Sequence, residues 1–310
     1  MTMQQPIGSG LGAQTTAREA LGDRRLDGKT AIVTGGYAGI GVETTRVLAA
    51  AGARVIVPAR DRAKAEKSIG AFANVTIAEM DLAEPRTIDA FAASFGDGPL
   101  HLLVDNAGIM AVPLSRDARG LESQLAVNHV GHFQLFLRLL PALRRAGGAR
   151  VIALSSRGHM RSAFDFDDPS FERRPYDKMV AYGQSKTANV LFAVELDRRY
   201  QGDGIRAFAL HPGAILETGL ARHYDPKELE AVVERARRVG SFKTIEQGAA
   251  TTIFCATSPL LEGRGGVYCE NCDIARVTTE GDTGVRPYAV DPELARRLWT
   301  WTERYVGSPS

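Results

Sequence analysis

The 310-residue chain predicts a doubly wound α/β fold, a parallel sheet with helices on both faces, in a single domain. Three observations carry that expectation. Short β-branched runs alternate with longer helical stretches after Gly28, each run is mainly apolar, and the first run ends in a glycine-rich turn that opens a helix. Strands buried on both faces read as unbroken apolar segments, and the helices between them supply the crossovers that parallel pairing needs.

In chain order, a strand over residues 30–34 leads to a helix over 39–51, 54–57 to 62–71, and 75–79 to 85–95. Strands over 100–104, 149–154 and 206–210 continue the series, with helices over 121–145, 180–200 and 245–256. Residues 1–28 read as a mobile N-terminal arm with a short helical segment near 16–21, and residues 29–310 as the domain. Two excursions break the alternation. Residues 159–179 are rich in Asp, Pro, Arg and Phe, and residues 216–243 form a charged helical stretch. Both follow strand ends, where long connections shape pockets, so both are expected to govern substrate choice.

Composition excludes several classes of protein. Apolar residues make up 44% and charged residues 24%, which suits a packed core rather than disorder. A net charge of 38 − 36 = +2 is too weak and dispersed for a nucleic-acid binder. No apolar run approaches the roughly 20 residues of a membrane span. Residues 1–20 lack the basic and apolar regions of a secretory signal, and an odd cysteine count (Cys255, Cys269, Cys272) argues against a disulfide scaffold. A reducing, cytoplasmic setting is therefore expected. Cys269-x-x-Cys272 lacks the two further ligands of a zinc site, so no metal is expected.

Chemistry concentrates at a few positions. The turn Thr34-Gly35-Gly36-Tyr37-Ala38-Gly39-Ile40-Gly41 follows a strand and opens a helix, the context in which a backbone loop and a helix N-terminus receive a pyrophosphate. A tight strand-to-helix turn alone would also explain it. Tyr182 and Lys186 are four apart on a helix and share a face. A phenol has a pKa near 10, and a neighbouring ammonium would bring it towards neutral pH and into use for proton transfer. Taken alone, such a pair is commonly a surface pair.

Combined with Asn106-Ala107-Gly108, Asn128, the pair Ser155-Ser156 and Pro212-Gly213, the order and spacing resemble the short-chain dehydrogenase/reductase family from about Gly28 to Val277. Within it, Val57-Pro58-Ala59-Arg60-Asp61, the Asn128-to-Phe133 segment and Leu210-His211-Pro212-Gly213 are similar to the subgroup of retinol dehydrogenases and the WW-domain oxidoreductase. The resemblance implies a Rossmann-like fold and a hydride transferred between a nicotinamide and a carbonyl or alcohol of an apolar small molecule. It implies that Tyr182 is the general acid/base and that Lys186 lowers its pKa and holds the nicotinamide ribose. Ser156, rather than Ser155, binds the substrate oxygen, and Asn128 holds a relay water. Cofactor contacts are implied at Gly35, Tyr37, Gly39, Ile40, Gly41, Arg60, Asp81, Leu82, Asn106, Ala107, Gly108, Tyr182, Lys186, Pro212, Gly213 and Ile215.

This chain departs from the family pattern at three places. Ser156 and Tyr182 are 182 − 156 = 26 residues apart because of the first excursion. Asp105 stands where a first Asn is usual, and Glu217 stands in a Thr slot, with Thr218 one position later. At the end of the second strand, Ala59 fills the position where NAD-selective sites carry an acid, and Arg60 follows it. The expected cofactor is therefore NADP(H), with NAD the less favoured, although Tyr37 gives the glycine loop no second cation. His211 reads as a packing residue beside the cofactor. Residues 130–140 read as an apolar helix face for the core or a subunit contact, and Trp299 and Trp301 as packing on the sheet or a cover over the site. The expected partner is a small-molecule carbonyl or alcohol, with homo-oligomerisation open. A non-catalytic dinucleotide sensor or scaffold on the same fold is the alternative, and the complete Asn128/Ser156/Tyr182/Lys186 set speaks against it.

Overall fold

In the computed structural model, residues 4–224 and 242–307 are described, together with Lys227, Glu230, Val233 and Glu234. Eight strands form one sheet: β1 (Thr30–Val33), β2 (Arg54–Ala59), β3 (Val75–Glu79), β4 (Leu102–Asp105), β5 (Ala149–Leu154), β6 (Ile205–His211), β7 (Val267–Glu270) and β8 (Asp273–Ile274). Their order is β3-β2-β1-β4-β5-β6-β7-β8. All neighbours pair in parallel except β7 and β8.

Strand alternation builds two cores. In β1, Ala31 and Val33 enter one core and Ile32 the other; in β5, Ile152 and Leu154 are set against Val151 and Ala153. Helices α1 (Ala17–Leu21) and α2 (Ile40–Ala50) contribute to the first core, and α3 (Arg62–Ile69) adds Ile69. The second is covered by α4 (Pro85–Phe95), a short α5 (Ser123–Leu125), α6 (Gly131–Arg145) and α7 (Lys178–Tyr200). Helix α8 (Ile245–Thr257) returns to the first face and α9 (Pro292–Glu303) to the second. Residues Val130 to Leu139 are largely core, as expected.

Several expectations change. The helix expected over 121–145 runs from Ser123 to Arg145 but is irregular, because residues Ala126–Val130 widen into a π turn before α6. There the side chain of Asn128 reaches out to the loop after β4, and Gly131 lies against the loop after β3. A β-carbon on Gly131 would stand 2.5 Å from the Leu82 carbonyl oxygen. The segment read as a mobile arm is docked. Gln4 inserts like a strand residue, accepting from the Tyr268 N–H at 2.8 Å and donating to the Tyr268 and Ala275 carbonyls, both at 2.7 Å. The Asp273 carboxylate accepts from the N–H groups of Ile7, Gly8 and Ser9, and α1 packs Ala17, Ala20 and Leu21 onto α8. Strands β7 and β8 and helix α9 had no counterpart among the expected elements. Asn271 and Cys272, at φ 51° and 60°, make the tight turn between β7 and β8. Trp299 packs among Phe133 and Phe192 of α6 and α7 and is off the cavity wall.

Candidate active site

β1 and β4 are neighbours, yet the chain leaves them towards opposite faces, so their carboxyl ends open a crevice. The glycine loop closes tightly over it. Gly35 has φ +61°, and a β-carbon on Gly41 would stand 2.3 Å from the Gly35 carbonyl oxygen and 2.6 Å from Asn106 Nδ2. Gly39 caps α2 without a side-chain hydrogen bond; the Gly41 and Val42 amides turn back to the Ala38 and Gly39 carbonyls at 3.1 and 3.2 Å, and the helix N-terminus faces the crevice through Gly39 and Ile40.

A brace that sequence reasoning missed holds this loop. Asn106 Nδ2 donates to the Thr34 carbonyl at 2.7 Å, and Thr34 Oγ1 accepts from the N–H groups of Asn106 (2.9 Å) and Ala107 (3.0 Å). The same hydroxyl donates to His132 Nε2 at 2.9 Å, while His132 Nδ1 donates to the Asn128 carbonyl. Burial pushes His132 down to about 4, so the ring is neutral and its Nε2 can accept. The signal, two polar residues 98 positions apart, is invisible until β1 and α6 meet.

A cavity of about 840 Å³ runs through the crevice. Every expected cofactor residue lines it except Gly41, which works from behind by letting the loop close. At one end stand Arg60 and, unanticipated, Lys64 and Lys67 of α3. Three residues apart, these lysines share a helix face. They supply the further cations that Tyr37 does not. Ala59 is buried and off the cavity wall. Glu217 is exposed and also off the wall, whereas Thr218 lines the cavity and sits where a Gly39 β-carbon would touch it at 3.1 Å.

At the other end stand Ser156, Tyr182 and Lys186. Ser156 caps a short 3-10 turn (Arg157–Arg161), its Oγ accepting from the Gly158 N–H at 3.0 Å. The Tyr182 ring approaches the same turn: a β-carbon on Gly158 would stand 2.8 Å from Tyr182 Cε1 and 3.5 Å from Ser156 Oγ. Ser155 is turned away, donating to the Lys186 carbonyl at 2.8 Å. Lys186 Nζ donates to the Leu154 carbonyl at 2.8 Å and lies 5.7 Å from the Tyr182 ring centre. The expected lowering of the phenol by Lys186 is not what this arrangement gives. Burial pushes Tyr182 up to about 12, against the opposing effect of Ser156, and pushes Lys186 down to about 8. Asn128 Nδ2 donates to the Ile109 carbonyl and to Ser185 Oγ, and its Oδ1 accepts from the Ile109 N–H, so both amide hydrogens are engaged in protein contacts. Asp105 is fully buried off the cavity wall, and burial raises its carboxyl well above the usual range.

His211 lines the cavity and accepts from the Arg157 N–H through Nδ1, a packing and tethering role as expected. The excursion over 159–179 is a braced loop. The Asp168 carboxylate accepts from the N–H groups of Glu172, Arg173 and Arg174, and Gln184 Nε2 donates to the Pro169 carbonyl. The excursion over 216–243 lies partly outside the described residues; its first part adds Thr218, Gly219, Leu220 and Arg222 to the cavity wall.

Comparison with known proteins gives concordant findings. A family model described as short chain dehydrogenase matches residues 29–229. A Streptomyces lividans protein named "Probable oxidoreductase" is 47% identical over 290 residues, covering 89% of this chain and 97% of that protein. Human retinol dehydrogenase 12 is 38% identical over 292 residues, covering 91% and 88%. Among solved structures, the Pseudomonas aeruginosa RhlG/NADP active-site complex superposes with a TM-score of 0.63 at 28% identity, over 79% of this chain and 94% of that one.

Proposed function

Because this chain belongs to the short-chain dehydrogenase/reductase family, we propose that it is an NADP(H)-dependent oxidoreductase interconverting a carbonyl and an alcohol on an apolar small molecule. One observation carries the reading: Ser156, Tyr182 and Lys186 converge at one end of a single cavity whose other end is a glycine cradle flanked by Arg60, Lys64 and Lys67. The residues fit a dinucleotide. The cradle excludes side chains at Gly35 and Gly41, the α2 N-terminus suits a pyrophosphate, and the cations suit a 2′-phosphate. When bound, such a cofactor supplies the hydride exchanged with the reacting carbon.

The chain's own groups do the rest. Ser156 orients the substrate oxygen. Tyr182, protonated at neutral pH because burial holds its phenol near 12, donates a proton to that oxygen in the reductive direction. Lys186, on the same helix face, holds the cofactor ribose. Asn128 fixes Ile109 against α7 and so sets the cavity wall between the two ends. The cysteines are unpaired thiols, which supports a cytoplasmic setting, and no helix among the described residues is long and apolar enough to cross a membrane.

A spectrophotometric screen of aldehydes, ketones and secondary alcohols with NADPH and NADH tests the proposal. Turnover with NADPH on at least one apolar carbonyl is expected. Tight dinucleotide binding with no turnover across the screen would return the chain to the sensor or scaffold reading.

A further inference from the structure

His159 is fully buried two residues beyond the turn's first residue and lies outside the set of groups that face the cavity. Its Nδ1 is 2.7 Å from the Ser156 carbonyl oxygen, which can only accept, so Nδ1 carries the hydrogen. Its Nε2 is 3.2 Å from the Arg286 amide nitrogen, which can only donate, so Nε2 is bare. The two partners therefore fix one neutral tautomer. The His159 carbonyl accepts from the Tyr288 hydroxyl at 2.7 Å and from Thr187 Oγ1 at 3.2 Å. Tyr268 of β7 lies against the ring with centroids 5.0 Å apart, and Arg286 and His211 are the charged and titratable neighbours from the other packed elements. Burial pushes the ring down to about 4, consistent with the neutral form that these bonds demand.

The geometry points to His159 as the positioning residue of Ser156: it ties the serine's main chain to the segment around Arg286 and Tyr288, and so sets where the serine hydroxyl stands relative to the Tyr182 phenol. This rests on the reading of Ser156 as the substrate-orienting group. Beside it, the Ser155 N–H is tied to the Leu210 carbonyl at 2.8 Å and the Arg157 N–H to His211 Nδ1 at 3.2 Å. The hydroxyl and carbonyl of Ser156 itself, however, bond within the short 3-10 turn, which has little rigidity of its own. Long-range anchoring through His159 supplies what that turn lacks, and small misplacements at a reacting centre are expensive in rate.

A double-mutant cycle tests this, using the full chain with NADPH and the best carbonyl from the screen. His159→Leu is expected to lower kcat about 10- to 100-fold in the parent and less than about twofold in a Ser156→Ala background, since coupled residues are non-additive. NADPH affinity should stay within about threefold, because His159 is not on the cavity wall. Equal losses in both backgrounds would mean general structural damage and overturn the assignment, as would no loss in the parent. If His159→Leu fails to fold, Tyr288→Phe decides in the same cycle: a loss of about threefold in the parent that vanishes beside Ser156→Ala supports it, and an uncoupled effect or none overturns it. Parental kcat in Ser156→Ala alone would sink the reading of the site as well, whereas a loss there without coupling sinks only the role of His159.

Discussion

The two ends of the cavity are built from different material. The cradle end is mostly backbone: loop amides, glycines and strand termini that approach because side chains are missing. The catalytic end is made of side chains, Ser156 from the turn after β5 and Tyr182 and Lys186 from α7, with Lys186 held by the Leu154 carbonyl and the turn tethered through Arg157 to His211. Backbone geometry tolerates exchange of exposed side chains around it, whereas a side-chain constellation fails with any one member. Changes at Ser156 and Tyr182 should therefore remove rate and leave cofactor affinity, changes at the cradle end should do the reverse, and a change at Lys186, which serves both, should touch both.

The largest expected effect is Tyr182→Phe. Loss of a general acid/base costs about 10²–10⁴ in kcat, while NADPH affinity should stay close to the parent. Steady-state kinetics beside a fluorescence titration of NADPH checks both halves, and a kcat within threefold of the parent would break the comparison at its strongest point. At the other end, Arg60→Ala should weaken NADPH about 10- to 150-fold, since a charge-assisted hydrogen bond is worth about 1.5–3 kcal/mol, and leave NADH nearly unchanged. Lys64→Ala and Lys67→Ala, on exposed side chains, should each do less. Titration with both cofactors reads the ratio directly, and equal losses for NADPH and NADH would assign these cations to the solvated surface.

pH sharpens the contrast. Burial brings Lys186 down to about 8, so its ammonium is present below that pH and lost above it, whereas a guanidinium keeps its charge. Between pH 7 and 9 reductive kcat is expected to fall several-fold, with the preference for NADPH over NADH unchanged. A flat kcat profile would show that Lys186 acts without its charge. The smallest effect on activity belongs to Gln4→Ala. It removes three hydrogen bonds to backbone groups at the far sheet edge, and at about 0.5–1.5 kcal/mol each, stability should drop by about 1.5–4.5 kcal/mol. Denaturant unfolding should register this while kinetics at both ends stay parental.

The stabilising role of His159 has a sign of its own. A ring whose pKa is depressed on folding contributes stability that is whole above its unfolded value near 6.5 and is lost as pH falls towards the folded value of about 4. Unfolding midpoints measured at pH 7, 6 and 5 should decline, and more steeply in the parent than in His159→Leu.

The readings that held were local. The glycine loop, the strand series from β1 to β6 and the Tyr182–Lys186 spacing are each set by residues within a few positions, through strand alternation, steric freedom or helix periodicity. What went unread depends on distant chain segments meeting. Lys64 and Lys67 look like ordinary charges on a solvated helix until α3 is placed beside the cavity. The early residues carry no sign of docking until Asp273 and the β7 backbone come within reach of them.

By itself, then, the amino-acid sequence determined the doubly wound architecture, the family, and the identities of the groups that gather at the cavity, because apolar periodicity and short motifs are properties of contiguous chain. Tertiary structure alone decided how those groups are tuned and held: the phenol raised by burial, the Asn128 amide spent on Ile109, Thr34 joined to His132, and Ser156 anchored through His159. Desolvation and long-range hydrogen bonds depend on which surfaces meet in space, and no local pattern of residues encodes that meeting.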